Sequence, residues 1–408
     1  MTGADRTSMR ALPGRVRSDF PITASRAYLF SGGLAPASKA VTAAVEDWIH
    51  CWSFDPAVAW DHLFTEWEAV RERLAHLLGA TPASIAIVDG TSRASNLAVA
   101  LLSPRRGANV VVDATTYPSS LYPWLLPERG GIEVRRAPSG AAGLAATPAD
   151  FEPLIDEGTV AVSITHVDPL SGFRHDLRPI ADLAHAHGAA LIVDVAQSAG
   201  VVPLGLVDDG VDLAAGTAMK WLLGPPGIGY LFVSSSLLAA TGAPQVGYLG
   251  ADLDPGDPSH LLLREDARRH ELGLASLLGM PGFRAGLDLI SDVGVPVIGT
   301  HVEGLLDRCL GGLAAFGLQA ATPTDPRRRA GLLAIPAKNP ADLQAFLRKR
   351  GVDVWGCEPA SLIRVDPHLF NNHDDIDRFL EGIEDYLHLR GPSSIQGGAQ
   401  LGRSAGGH

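Results

Sequence analysis

Between residues 85 and 235 the chain alternates short β-branched runs with stretches whose apolar residues recur every three or four positions. The runs lie at 85–88, 109–112, 131–135, 160–165, 190–193 and 228–233; helical periodicity marks 92–102 and 177–187, with a further helix at 56–78. Strands separated by helices are joined most simply by crossovers, which lay them parallel and place helices on both faces. The pattern predicts an α/β fold with a mainly parallel sheet covered on both sides.

After Pro281 the texture changes. Long amphipathic helices are predicted over 283–293 and 297–316, followed by strands near 330–336 and 361–365 and a closing helix over 374–389. This reads as a smaller C-terminal α+β domain. The division expected is an N-terminal segment 1–30 packed on the small domain, a large domain 31–282, a small domain 283–390 and a disordered Gly/Ser/Gln-rich tail 391–408. Among 408 residues, 46% are hydrophobic and 19% charged, and no stretch of eighteen apolar residues without charge occurs, so no membrane span is expected. The first residues carry Arg6, Arg10, Arg15 and Arg17 without the apolar core of a signal peptide, so the expected location is cytoplasmic. Cys51, Cys309 and Cys357 are too few and too scattered for a disulfide framework or a metal site. A net charge of −12 argues against nucleic acid, while leaving room for small anionic ligands.

Chemistry concentrates around Lys220, in Thr217-Ala218-Met219-Lys220-Trp221-Leu222-Leu223-Gly224-Pro225-Pro226-Gly227. A lysine amine is a nucleophile only when deprotonated, which a partly desolvated pocket promotes. Ahead of it, Asp194 ends an apolar strand and is followed three residues later by Gln197. A buried aspartate needs a cation or donors, and a protonated pyridine nitrogen would serve; the alternative is an N-cap for the next helix. Lys220 and Asp194 together point to pyridoxal phosphate. Gly90-Thr91-Ser92 follows a strand and opens a helix, an arrangement that binds anions through backbone N–H groups, or else an ordinary N-cap. Tyr117 lies just past the strand 109–112, where a ring can stack on a flat cofactor or simply pack in a loop. Neither a Walker-type Gly-Lys-Ser/Thr nor a GxGxxG is present.

From Tyr28-Leu29-Phe30-Ser31-Gly32-Gly33 to Arg364-Val365-Asp366-Pro367-His368-Leu369-Phe370-Asn371, and most specifically from Asp194 through Val233, the chain resembles the class V aminotransferase-like, fold-type I pyridoxal phosphate enzymes. This superfamily includes cysteine desulfurases, kynureninases and isopenicillin N epimerase. The resemblance implies that Lys220 forms the Schiff base and Asp194 pairs with the pyridine nitrogen. It implies further that Gln197 faces the phenolic oxygen, Tyr117 stacks on the ring, and Thr91, Ser92 and Thr217 hold the phosphate. Arg364 takes the position that grips a substrate α-carboxylate, for which a bidentate fork is apt. A homodimer with the site at the interface is implied as well. The segment 245–273 would then come partly from the neighbour, with Tyr248 and Arg268 or Arg269 as candidate substrate contacts.

Three positions depart from the family pattern. The residue before the lysine, usually His or Tyr, is Met219, and the usual Gly-Thr that closes the neighbour's phosphate site stands as Gly273-Leu274. An Asn near cofactor and substrate is replaced by Asp168, read either as a cofactor-site carboxylate or as a turn residue before Pro169. A desulfurase needs a mobile nucleophilic cysteine ahead of the arginine. Cys357 sits too close to Arg364 for a long loop and reads as structural. The chain resembles, within the family, actinobacterial enzymes of ergothioneine-type and lincosamide pathways that act on S-conjugated cysteine. The expected reaction is therefore β-elimination from an S-substituted L-cysteine to thiol, pyruvate and ammonia, with Lys220 as proton-transfer group. The alternatives are a decarboxylating variant, an epimerase or aminotransferase, and a cysteine desulfurase.

Overall fold

The computed structural model describes residues 12, 14–126, 131–138 and 146–395, so the expected tail lies outside the described residues from 396 onward. Seven strands form the central sheet: β1 (Ile85–Val88), β2 (Asn109–Asp113), β3 (Glu133–Ala137), β4 (Thr159–Thr165), β5 (Ala190–Asp194), β6 (Leu213–Thr217) and β7 (Gly229–Val233). Their order is β1-β7-β6-β5-β4-β2-β3, parallel except for β7, which runs antiparallel to both neighbours. Every residue of β1, β2, β6 and β7 is buried, as a sheet covered on both faces requires. The edge strand β3 instead carries Glu133, Arg135 and Arg136, charges that discourage edge-to-edge pairing.

Strand β6 has no counterpart among the runs read from the sequence, because Leu-Ala-Ala-Gly-Thr lacks β-branched bulk. Its small residues are a packing requirement. Gly216 lies opposite Tyr230 of β7, and a Cβ there would stand 2.2 Å from the Tyr230 ring. The remaining strands fall within three residues of expectation at each end. The helix α1 (Lys39–Phe54) has no counterpart among the helices expected from periodicity, whereas α2 (Pro56–Leu77), α3 (Thr91–Leu102) and α4 (Leu177–Ala186) do. One face of the sheet packs on Trp67 and Leu74 of α2 and Ile180 of α4; the other packs on Leu97 and Leu101 of α3.

The C-terminal part contains α5 (Met280–Val293), α6 (Val295–Ala315), an antiparallel sheet and α7 (His373–Arg390). That sheet has the order β8-β10-β9, with β8 Leu333–Pro336, β9 Trp355–Cys357 and β10 Leu362–Val365. Its core also takes in Val16, Phe20, Ala27 and Leu29 from the N-terminal segment, and Ala27–Tyr28 pairs with Val352–Asp353. The boundary expected after residue 282 falls inside α5, which both cores share. Met280, Phe283 and Leu287 belong to the core of the large sheet, whereas Ile290 joins the C-terminal core. The two units are thus bridged by one rigid helix. No single described helix is long and apolar enough to cross a membrane; α5 and α6 are so only as a pair, bent by 80°.

A buried ion pair closes the exposed edge of β1. Arg71 of α2 donates to Glu271 at 2.6 Å and to the Ile85 carbonyl at 2.6 Å, while Glu271 accepts from the Ile87 N–H at 2.7 Å and from Trp67 Nε1. The carboxylate supplies the acceptor that a further strand would have supplied. Both side chains are almost wholly buried, so removing one leaves the other charged and unpaired. Glu271→Ala is expected to cost about 3–5 kcal/mol in urea-melt stability. A loss below about 1 kcal/mol would show that the pair contributes no more than an exposed one.

Candidate active site

Because the strands other than β7 run in one direction, their carboxyl ends open onto a single edge, and side chains just beyond them converge. A cavity of about 980 Å³ lies there. It is lined from the sheet side by Thr91, Ser92, Tyr117, Asp194, Gln197, Thr217 and Lys220. The C-terminal unit contributes Trp355, Cys357 and Arg364, and the N-terminal segment contributes Phe30, Gly32 and Gly33. Eight of the ten residues expected to form the cofactor and substrate site, Arg364 of the other unit among them, therefore meet around one space; Asp168 and Tyr248 do not.

Lys220 follows β6 in a tight turn closed by Leu223 N–H to Lys220 O. Enclosure of its amine outweighs the opposing pull of Asp194 and Asp366 and, with help from Arg364, pushes its pKa down to about 8. The amine lies 5.6 Å from the centre of the Tyr117 ring. Asp194, at the end of β5, is buried; its Oδ1 accepts from the Ala196 N–H at 2.9 Å and its Oδ2 from Ser120 Oγ at 3.0 Å. Burial pushes its pKa up, and the Lys220 charge draws it back down. No α-helix begins directly after Asp194, which removes the N-cap alternative. At the start of α3 the N-cap is Gly90, with no side chain capping the first turn, so neither Thr91 nor Ser92 is spent as a cap. A Cβ on Gly229 would stand 2.5 Å from Gly90 Cα, so β7 approaches this helix start only as glycine.

Arg364 reaches across from β10. Its Nε and Nη2 hold Asp366 and its Nη1 donates to the Pro169 carbonyl at 2.8 Å. A guanidinium has five N–H groups, so donors on both terminal nitrogens remain for a ligand. The Trp355 ring, opposite Arg364 in the β9·β10 register, lies 4.6 Å from the guanidinium carbon. Cys357 lines the cavity but is fixed on β9, and burial raises its thiol pKa.

Asp168 is absent from the cavity wall, so of its two readings the geometry fits the turn residue and not the cofactor-site carboxylate. Its Oδ1 accepts from Leu170 N, Ser171 N and Ser171 Oγ, a turn closed on itself, and Pro169 lines the cavity instead. Tyr248 is 61% exposed and is not part of the cavity wall of its own chain. Arg268 pairs with Asp266, and Arg269 donates to the Leu238 carbonyl. Leu274 packs against the sheet core. The sequence reasoning assigned no role to Ser120, Thr165, Trp221, Trp355 or Asp366. Only Asp366 carried a signal: two residues past Arg364 at a strand end, it falls on the same face.

The donor set suits a flat anion with a pyridine nitrogen. Thr165 Oγ1 and Ser119 Oγ, buried at the cavity, have no hydrogen-bond partner among the described residues. Asp194 keeps lone pairs for a ring N–H, and the uncapped start of α3 points at an anion seat. Among known proteins, an uncharacterized aminotransferase, YcbU, from Bacillus subtilis is 26% identical over 376 residues, covering 92% of this chain and 98% of its own. The apo cysteine desulfurase of Thermococcus onnurineus NA1 superposes with a TM-score of 0.83 at 24% identity, covering 92% of this chain and 98% of that one. A cystine C-S lyase bound to its product cysteine persulfide superposes at 0.82 with 21% identity, covering 90% and 99%. The profile of the family described as "Aminotransferase class-V" matches residues 27–379. A lysine of lowered pKa and a buried aspartate on one cavity wall, with a family match over residues 27–379, converge on one conclusion: this protein belongs to the class-V aminotransferase family and is a pyridoxal phosphate-dependent enzyme.

Proposed function

We propose that the enzyme is a carbon-sulfur lyase that cleaves an S-substituted L-cysteine conjugate, with uptake of one water, to a thiol, pyruvate and ammonia. The carrying observation is the contrast between two groups in one cavity. Lys220 has a pKa near 8, suited to moving protons near neutral pH, whereas Cys357 is held on a strand with its thiol pKa raised. A reaction whose acid–base work falls to the lysine suits this cavity better than one needing a mobile thiolate.

Bound pyridoxal phosphate supplies an electron sink for charge developing at the substrate Cα. Asp194 would hold its ring nitrogen, Gln197 its phenolic oxygen, Tyr117 one ring face, and Thr91, Ser92 and Thr217 its phosphate. Arg364 clamps the substrate carboxylate with its free N–H groups, fixing the amino acid so that its Cα–H faces Lys220. The freed Lys220 amine removes the Cα proton and can return a proton to the departing sulfur. A cavity of about 980 Å³ is at the upper end of small-molecule sites, room for cofactor, cysteine and a sizeable tail. Secondary metabolism of the ergothioneine and lincosamide type would supply substrates of this kind.

The decarboxylating variant has one observation in its favour. Buried Asp366 already neutralises Arg364, so a substrate carboxylate seated there is poorly compensated, and losing it as CO2 would relieve that charge. We also take the working assembly to be a homodimer, supported by the exposed aromatics Trp52, Phe54 and Trp60 on α1 and α2.

Incubation with S-alkyl-L-cysteines is expected to release thiol and pyruvate in equal amounts. Racemised substrate alone would sink the lyase reading, and CO2 without pyruvate would select the decarboxylating variant. Cys357→Ala is expected to keep activity within about tenfold, against the loss of ~10³ or more that follows removal of an obligatory nucleophile. Capture of pyridoxal phosphate by the unloaded protein, followed by visible absorbance, is expected to accelerate with pH to a midpoint of about 8, where the amine loses its proton. Lys220→Ala should abolish the band. The folded pKa lies below the ordinary lysine value of 10.5, so unfolded chain binds more protons between about 8 and 10.5. Stability of the unloaded protein from this group should therefore rise, not fall, across that window.

A further inference from the structure

Trp221 follows Lys220 directly and is fully buried. Its indole N–H lies 2.9 Å from the Gln197 side chain, and because indole can only donate, the atom it meets is the amide oxygen. At the other end, Gln197 Nε2 donates to the Gly32 carbonyl at 2.9 Å, a partner that can only accept. The two partners fix the sense of the amide from opposite sides. One hydrogen of Nε2 remains, and Gln197 lines the cavity. The group it faces there must accept.

Trp221 cannot easily turn away. Its carbonyl accepts from His368 Nε2 at 3.1 Å, and the Leu369 N–H donates to His368 Nδ1 at 2.7 Å, which assigns the imidazole proton to Nε2. Burial lowers the His368 pKa to about 4, so the ring stays neutral in this role. The Trp221 carbonyl would stand 2.3 Å from a Cβ at position 200, where φ is +102°, so only glycine lets the backbone pass. The indole also packs against Gly331, where a Cβ would stand 3.0 Å from the ring and φ is +72°.

We propose that Trp221 is a positioning residue that holds Gln197 as a hydrogen-bond donor toward the phenolic oxygen of bound pyridoxal phosphate. Without the indole N–H the Gly32 carbonyl alone holds the sense of the amide, the oxygen loses its donor, and a turned amide would present that oxygen, an acceptor that repels the same group. The inference rests on the reading of Gln197 as the phenolic-oxygen partner, and the test separates the two.

The full-length protein loaded with pyridoxal phosphate is titrated by its visible absorbance. Loss of the N–H donor makes the phenolic oxygen more basic, so the midpoint is expected to move up by about one pH unit in Gln197→Ala and similarly in Trp221→Phe. The double variant should match Gln197→Ala, because Trp221 acts only through Gln197. A parent-like midpoint in Trp221→Phe beside a shifted one in Gln197→Ala overturns the positioning role and leaves the Gln197 reading intact. A further shift in the double variant overturns it as well, since Trp221 would then act directly or by general distortion. An unshifted Gln197→Ala removes the reading of Gln197 itself and the inference with it. If the cavity left by Trp221→Phe prevents folding, replacing Trp221 by 3-benzothienylalanine removes the N–H at nearly constant volume, and the same outcomes apply.

Discussion

Enclosing the Lys220 amine is the constraint on which the site depends. Burying an ammonium is costly unless it sheds its proton or finds a counter-charge, and the protein does part of each. Asp194 and Asp366 offset the charge, Arg364 opposes it, and the balance leaves the pKa near 8. A lysine in water would be a poor nucleophile at that pH; one fully stripped of counter-charge would leave Asp194 without the cation that draws its own pKa down. The sheet makes the compromise possible, because parallel strands deliver Asp194, Thr217 and the Lys220 turn to one edge while keeping them apart along the sheet.

The second dependence runs between the units. The wall opposite the sheet is made by β9, β10 and the N-terminal residues 30–33, so the cavity exists only when both units are docked. Several contacts secure that docking. Arg364 donates to Pro169 beyond β4, His368 donates to the carbonyl of Trp221, and the rings of Trp221, His368, Phe370 and Phe20 follow one another at centroid separations of 4.5–5.8 Å. The turn that carries Lys220 therefore has its next residue embedded in the core of the C-terminal unit. Helix α5, shared between both cores, adds a continuous mechanical link. Relative motion of the units would disturb Lys220 itself.

Much of this was legible in the chain. The β-branched runs at 85–88, 109–112 and 190–193 announce buried strands because a sheet covered on both faces needs such residues along its whole length. Gly90-Thr91-Ser92, Tyr117, Asp194 and Lys220 were visible because each stands at a strand's carboxyl end, where local sequence and site geometry coincide. β6 was invisible for the converse reason: its alanines and glycine answer to the bulk of Tyr230 and Phe232 on the neighbouring strand, a long-range demand no local propensity records. Asp168 stayed ambiguous because the residue type suits a polar pocket as well as a turn; the backbone turns its Oδ1 onto its own loop and offers Pro169 to the cavity.

The sequence alone determined the layer architecture and, through Lys220, Asp194 and the family resemblance around them, the cofactor, since periodicity and motifs are local properties of the chain. Tertiary structure alone decided which polar groups are already engaged. That Arg364 is held by Asp366 and Pro169, that Gln197 is gripped between Trp221 and Gly32, and that Cys357 rides on a strand all depend on residues far apart in the chain. A hydrogen bond is satisfied or left open by three-dimensional proximity, and the open ones, Thr165 and the free edges of Arg364 and Gln197, are what the cavity offers to a ligand.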